Sequence, residues 1–266
     1  MTYISGLNFV DISDTFFFCN RTVSQIMKND SVIEEIMQKD MPLIYTKTDY
    51  IEPVFNILNE LNKECDVITH HSDKNVDKDL YQRKPKNVNR WFSQNVNYIA
   101  PDLIPIPIGF SDSYTLATKY HELEPFVEEE KNNFVYVNFR PETYNTRKKI
   151  HKLLSKNKKL SVVNAKKRGD NLDYIRELST HKYCVCPRGN GLDTHRVWEA
   201  LFVGSIPIVE DCVMYRKMKE IEPSIPFVFT KKYSDIDWDE LENNYKKPNI
   251  NSSVFDVNFW VNLENE

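Results

Sequence analysis

The chain alternates between short β-prone apolar runs and stretches in which apolar residues recur at helical spacing. The β-prone runs predict strands at 42–46, 66–69, 134–140, 160–163, 183–186, 206–209 and 226–229. Between them, apolar residues three or four positions apart predict helices at 32–37, 54–61, 147–154, 172–178, 197–202 and 214–221. Strands that alternate with helices in this way predict an α/β fold with parallel sheets.

Some segments carry a weaker pattern. A short apolar run covers 16–19, and 90–95 is predicted as a loop or a short helix. Prolines within 104–109 favour extended backbone, because a proline disfavours helix at the residue before it. Residues 111–131 are predicted to connect two domains.

A polar loop with two glycines lies between the strand at 183–186 and the helix at 197–202. We call residues 187–194 the glycine loop; their sequence is P-R-G-N-G-L-D-T. Asp193 and Thr194 are predicted to cap the helix, whose free N–H groups and dipole favour anions. Arg188, His195 and Arg196 add positive charge, which predicts a phosphate or diphosphate site, with Glu199 one turn further on to accept hydroxyl groups. An ordinary strand-to-helix crossover with solvated arginines is the alternative.

A second polar cluster follows the predicted strand at 66–69. His70, His71 and Asp73 lie at the carboxyl end of that strand, where open parallel sheets bind their ligands. The sequence therefore places candidate chemistry in both halves of the chain.

The segment C-P-R-G-N-G-L-D-T-H-R-V-W-E-A-L-F-V-G-S-I-P-I-V resembles the nucleotide-sugar signature of exostosin-like glycosyltransferases. T-H-H-S-D at 69–73 and W-F-S-Q-N-V with L-I-P-I-P-I-G at 91–109 resemble the family more weakly. Within that family, the chain resembles small soluble virus-encoded xylosyltransferases in kind. The resemblance implies a GT-B architecture, in which two Rossmann-like domains face each other across a cleft. On this basis we expect an N-terminal acceptor domain (1–125), a nucleotide-sugar domain (126–245) and a tail (246–266) that packs back on the first domain.

The resemblance also implies roles for residues in the second half. Arg188 would bind the diphosphate, and Glu199 would bind the ribose hydroxyls. The remaining donor-binding residues are expected to be Arg140, Gly189, Asn190, Gly191, Asp193, Thr194, His195 and Arg196. Arg140 follows a predicted strand and is either a second diphosphate ligand or a surface arginine.

The first half is expected to supply the general base and the acceptor site. Asp73, His70 and His71 are the candidates for the base, since a carboxylate or an imidazole can take the proton of a hydroxyl. Trp91 and Gln94 are candidates for acceptor binding, with core packing as the alternative for the aromatic residues of this segment.

The leading hypothesis is an inverting, metal-independent glycosyltransferase that moves a sugar from a UDP-sugar, with UDP-xylose as the first candidate, to a glycan hydroxyl, without a cofactor. A non-catalytic carbohydrate- or nucleotide-binding module is the alternative. A DNA-modifying transferase is disfavoured because the net charge is −4 and no basic stripe occurs. The tripeptide at 235–237, D-I-D, is interpreted as surface acid, so no metal site is expected.

Composition also bears on the compartment. No window approaches the ~20 apolar residues that span a bilayer, and the first residues lack the basic region of a signal peptide. The expectation is a soluble cytoplasmic enzyme.

The five cysteines, an odd number without a C-x-x-C pair, do not suggest a disulfide framework. Cys184 and Cys186 are expected to be small buried residues.

Overall fold

The computed structural model describes residues 2–17, 30–112, 126–127, 129–163 and 171–262. Within these ranges, ten strands form two parallel sheets of five strands each, with helices between them. The predicted α/β class is confirmed, and the arrangement is consistent with two Rossmann-like units. Phe18, Cys19 and most of the predicted connection at 111–131 lie outside the described residues.

The first sheet has the order β1-β2-β3-β4-β5. Its elements are α1 (Gly6–Asp11), β1 (Thr15–Phe17), α2 (Asp30–Gln38), β2 (Leu43–Lys47), a 3₁₀ turn (Thr48–Tyr50), α3 (Ile51–Leu61), β3 (Cys65–His70), α4 (Lys78–Tyr81), β4 (Val88–Ser93) and β5 (Leu103–Pro105). Every residue of β3 is buried, as expected for a central parallel strand covered on both faces.

The second sheet has the order β10-β9-β8-β6-β7. Its elements are β6 (Asn133–Val137), α5 (Arg147–Leu154), β7 (Leu160–Val162), α6 (Asn171–Ser179), β8 (His181–Cys186), α7 (His195–Phe202), β9 (Ile206–Glu210), α8 (Val213–Ile221) and β10 (Val228–Thr230). A 3₁₀ turn (Tyr233–Asp235), α9 (Trp238–Asn243), a second 3₁₀ turn (Ser252–Phe255) and α10 (Val257–Val261) follow.

One local prediction fails. Residues 90–95, predicted as a loop or short helix, belong largely to β4, because Trp91 and Phe92 are fully buried in the sheet and pair with β3. Residues 104–109 contain no helix, as predicted. Ile104 and Pro105 end the edge strand β5, where a proline is tolerated since one side of an edge strand needs no donor. Cys184 and Cys186 are buried as predicted.

One hydrophobic cluster joins the two halves. It contains Ile68 and Phe92 of the first sheet together with Cys184 of the second sheet and Trp198 of α7. Trp260 of α10 packs edge-on against Trp198, with 5.8 Å between ring centroids. The carboxyl-terminal segment therefore lies in the core between the halves.

Backbone hydrogen bonds also connect the start of the chain to the carboxyl-terminal segment and to Phe110. The N–H of Ile4 donates to the carbonyl of Phe255 at 2.8 Å, and the N–H of Phe110 donates to the carbonyl of Ile4 at 2.9 Å. Gly109 has φ +66°, and a Cβ there would lie 2.3 Å from the Ile4 carbonyl oxygen. The chain passes so closely here that only glycine fits.

Candidate functional site

A pocket of about 340 Å³ lies where the carboxyl ends of the first-sheet strands face the start of α7. His70 ends β3 and lines the pocket from one side together with His71 and Asp73, and His195 of α7 lines it from the other. The sequence clusters predicted separately in the two halves are thus brought together. This is the position at which α/β folds hold their ligands.

His70 is fixed by hydrogen bonds at both ring nitrogens. Nδ1 accepts from the backbone N–H of His71 at 2.8 Å, and Nε2 lies 3.1 Å from the carbonyl of Pro107, to which it donates. Burial lowers the pKa of His70 to about 3. The ring is therefore neutral and has no free lone pair for an acceptor hydroxyl, so its position does not favour the predicted role as a base.

His71 is also engaged at both nitrogens. Nε2 lies 2.6 Å from a carboxylate oxygen of Asp112, and Nδ1 lies 2.5 Å from the hydroxyl of Tyr45. Since a carboxylate accepts, Nε2–H donates to Asp112 and the tyrosine hydroxyl donates to Nδ1. A Cβ at Gly6 would lie 2.1 Å from the His71 ring, so the start of α1 packs directly on it.

Asp73, Gln94 and Trp91 occupy different environments. Asp73 is exposed at the rim of the pocket. Gln94 is buried, lines the pocket and donates to the Ser72 carbonyl, whereas its Oε1 has no partner among the described residues. Trp91 does not reach the pocket: it is fully buried, donates to Thr69 at 2.8 Å and packs against Phe55. That placement corrects the prediction that its ring contacts an acceptor sugar and supports the core-packing alternative.

The glycine loop follows β8 directly. The Arg188 guanidinium donates to the Asn190 carbonyl at 2.8 Å and lies 4.6 Å from the ring centroid of Tyr144. Asn190 is exposed, whereas both glycines are buried. A Cβ at Gly191 would lie 2.8 Å from the Asn95 amide, whereas one at Gly189 would have its nearest contact at 3.6 Å. Packing therefore requires glycine at position 191, whereas position 189 has room for a Cβ.

Arg147, at the start of α5, supports the loop from below. Its Nε donates to the Arg188 carbonyl at 2.7 Å, and its Nη2 donates to the Pro187 carbonyl at 2.8 Å. Burial and the facing charge of Arg196 lower the pKa of Arg147 to about 10. No carboxylate among the described residues forms an ion pair with Arg147, so the loop rests on a buried cation.

Asp193 is buried at the start of α7 and accepts four hydrogen bonds. The donors are the N–H of Ile108 (2.8 Å), the indole of Trp198 (2.8 Å), the N–H of Thr194 (2.8 Å) and the hydroxyl of Tyr215 (2.9 Å). Its carboxylate oxygens already carry these donors, and burial raises its pKa. Asp193 thus connects the first half to α7. Its side chain points into the protein, which corrects the prediction that it binds the nucleotide sugar.

Thr194 occupies the N-cap position of α7 but does not cap it as predicted, because its side chain makes no capping hydrogen bond. Its Oγ1 is buried without a partner among the described residues, and the same is true of Nε of Arg196. Buried polar atoms are normally satisfied. Both atoms can donate a hydrogen bond and are available to a ligand with acceptor oxygens.

His195, Glu199 and Arg140 complete the predicted donor set. His195 is half-buried, and its Nδ1 lies 2.6 Å from the Gly109 carbonyl. Glu199 is buried and accepts from the hydroxyl of Tyr174 at 3.0 Å. Arg140 is exposed three residues after β6, a placement open to either of its two predicted roles.

Sequence reasoning missed the residues that hold this site in shape. Asn95, at φ +56°, donates to the Ser72 carbonyl at 2.8 Å and accepts from the N–H of Asp193 at 2.9 Å, so it links the two halves. Arg147, Tyr45 and Asp112 were also missed. Asn95 lies in the quoted segment at 91–96, and its adjacency to Gln94 was the available signal; the other three lie in segments with no recognisable motif.

The acidic residues near the tail have local structural roles. Asp237 caps α9 by accepting from the N–H of Glu240 at 2.9 Å, and Asp235 accepts from Ser234. Across the described ranges, no group of three His, Cys, Asp or Glu side chains is arranged to hold a metal ion. In those same ranges, no helix is both long and apolar enough to cross a bilayer.

Residues 127–251 match the sequence model of the family described as RXYLT1 C-terminal domain. The matched region runs through the whole second sheet and contains the glycine loop, Arg147 and α7. The match supports a glycosyltransferase-like, xylosyltransferase-related family for this part of the chain. A search of curated proteins gave no match.

Proposed function

We propose that the chain is an inverting glycosyltransferase of GT-B type that transfers a sugar from a UDP-sugar to a hydroxyl of a glycan acceptor. UDP-xylose is the first candidate donor, because the family match is to an RXYLT1 domain. The observation that carries the proposal is the family match over the same residues that form the glycine loop and the start of α7. The exostosin-like signature of residues 186–209 lies within that matched region and locates the proposed site in it.

The proposed donor site is the surface of the glycine loop and the first turn of α7. The diphosphate would contact Arg188 and the free atoms Thr194 Oγ1 and Arg196 Nε. Positive charge and helix N–H groups stabilise the negative charge that builds on a leaving diphosphate. Glu199 is proposed to accept hydrogen bonds from the ribose hydroxyls, and no metal ion is needed in this scheme.

The acceptor would enter the pocket between His71, Asp73 and Gln94. Gln94 Oε1, buried without a partner in the described part of the chain, offers an acceptor for a sugar hydroxyl. Holding the hydroxyl in line with the anomeric carbon lowers the barrier by removing translational freedom.

A thermal-shift panel of UDP-xylose, UDP-glucose, UDP-N-acetylglucosamine and UDP-glucuronate tests the proposal, because a ligand of the native state raises its melting temperature. We expect at least one donor to stabilise the protein. Arg188→Ala should weaken donor affinity by about 10- to 100-fold, the loss of one or two charge-assisted hydrogen bonds. Arg83→Ala is the matched control, since Arg83 is exposed, pairs with Glu52 and lies in the first half, outside the proposed donor site.

If no UDP-sugar shifts the melting temperature, or if Arg188→Ala binds as tightly as the parent protein, the assignment is wrong. Donor binding without release of UDP on incubation with a glycan acceptor or water would identify a binding module of the same fold.

A further inference from the structure

The geometry points to His195 as the general base, an inference that rests on the proposed glycosyl transfer. The three residues predicted for this role are less suited to it. His70 and His71 use both ring nitrogens in hydrogen bonds within the protein. Asp73 is exposed at the rim.

The hydrogen bond to Gly109 fixes the His195 tautomer. A backbone carbonyl only accepts, so Nδ1 carries the proton in the 2.6 Å contact with the Gly109 oxygen. In the neutral ring, the lone pair then lies on Nε2. Gly109 is itself held against Ile4 by the close approach described above, so the acceptor that orients the imidazole is rigid.

His195 also has the right position. It is the first residue of α7 and immediately follows the glycine loop, so it lies beside the proposed diphosphate site. Its side chain lines the pocket shared with the strand ends of the first half. The ring thus stands between the proposed leaving group and the proposed acceptor. The titratable groups that share this pocket are His70, His71, Asp73 and Asp112.

Nε2 of His195 takes the proton of the acceptor hydroxyl while the oxygen of that hydroxyl forms a bond to the anomeric carbon of the donor sugar. The bond from that carbon to the diphosphate oxygen breaks, and its electron pair leaves with UDP. The imidazolium then returns its proton to solvent.

Asparagine is the informative replacement, because its side-chain amide N–H can replace Nδ1–H in the bond to Gly109 while Nε2 is lost. We expect His195→Asn to lower kcat for UDP release by about 10²- to 10⁴-fold, the usual range for general-base catalysis. The midpoint of UDP binding should stay within about threefold, which separates loss of the base from loss of donor affinity. His151→Asn in α5 is the matched control and should retain parental turnover.

Parental turnover in His195→Asn, or loss of turnover in Asp73→Asn with His195→Asn unaffected, would overturn the assignment. The tautomer provides a test that needs no substrate. Long-range ¹H–¹⁵N spectra of the labelled protein, assigned with the His195→Asn variant, should show a protonated Nδ1 and an unprotonated Nε2 at alkaline pH. The opposite tautomer would exclude Nε2 as the base even if UDP-sugars bind, which separates this inference from the donor assignment.

Discussion

Asp193→Asn should destabilise the protein markedly. The carboxylate accepts from Ile108 and Trp198 on Oδ2 and from Thr194 and Tyr215 on Oδ1. An amide nitrogen on the Oδ2 side would oppose two N–H donors. On the Oδ1 side it would oppose the Thr194 N–H, whereas the tyrosine hydroxyl can rotate to accept.

At least one buried N–H therefore loses its acceptor, at about 1–3 kcal/mol, and the remaining bonds lose their charge assistance. Burial raises the pKa of Asp193, which shows that the buried charge itself is costly, and a neutral amide recovers part of that cost. The net loss should be about 2–4 kcal/mol of unfolding free energy.

Urea unfolding followed by circular dichroism and tryptophan fluorescence measures this loss. Asp237→Asn is the control, because Asp237 is an exposed N-cap and asparagine caps as well as aspartate. A change at Asp193 no larger than that of the control would refute the view that this carboxylate ties the halves together. Donor affinity measured in the folded variant should change little, because the side chain faces the interior.

Three further predictions concern the second half of the chain. Arg147→Lys should weaken UDP binding by about tenfold in titration calorimetry, because lysine cannot replace both bonds to the loop carbonyls; unchanged affinity would contradict the supporting role. Gly191→Ala should lower the midpoint of urea unfolding more than Gly189→Ala, because its Cβ meets the Asn95 amide at 2.8 Å; equal midpoints would contradict it. Burial lowers the pKa of Lys131 to about 8, so the unfolded chain binds more protons above that pH and stability should rise with pH between about 8 and 10. Lys131→Met should flatten that rise in pH-dependent urea unfolding, and an unchanged slope would refute the assignment.

The sequence was sufficient for the architecture because buried parallel strands carry continuous apolar runs. Residues 206–209, Ile-Pro-Ile-Val, are such a run, and Val67 and Ile68 form a shorter one; both fall within strands. Strand β4 was missed because polar Asn89 and Arg90 interrupt its start, and the ion pair with Asp66 helps to accommodate Arg90 there. That ion pair links two strands and has no local sequence signal.

For the site, the sequence located the two clusters but not the contacts within them. Asp193 was predicted to bind the donor, yet its four donors come from residues as distant as Ile108 and Tyr215. His70 and His71 are adjacent in sequence, and only the fold shows that Pro107, Tyr45 and Asp112 engage their nitrogens. Such long-range pairing depends on tertiary structure, which spacing alone does not encode.

A crystal structure of the protein with UDP is the most direct test of the proposed donor site. We predict that the diphosphate lies against the glycine loop, within hydrogen-bond distance of Arg188 and Thr194 Oγ1. UDP bound elsewhere, with this loop free of ligand, would contradict the account.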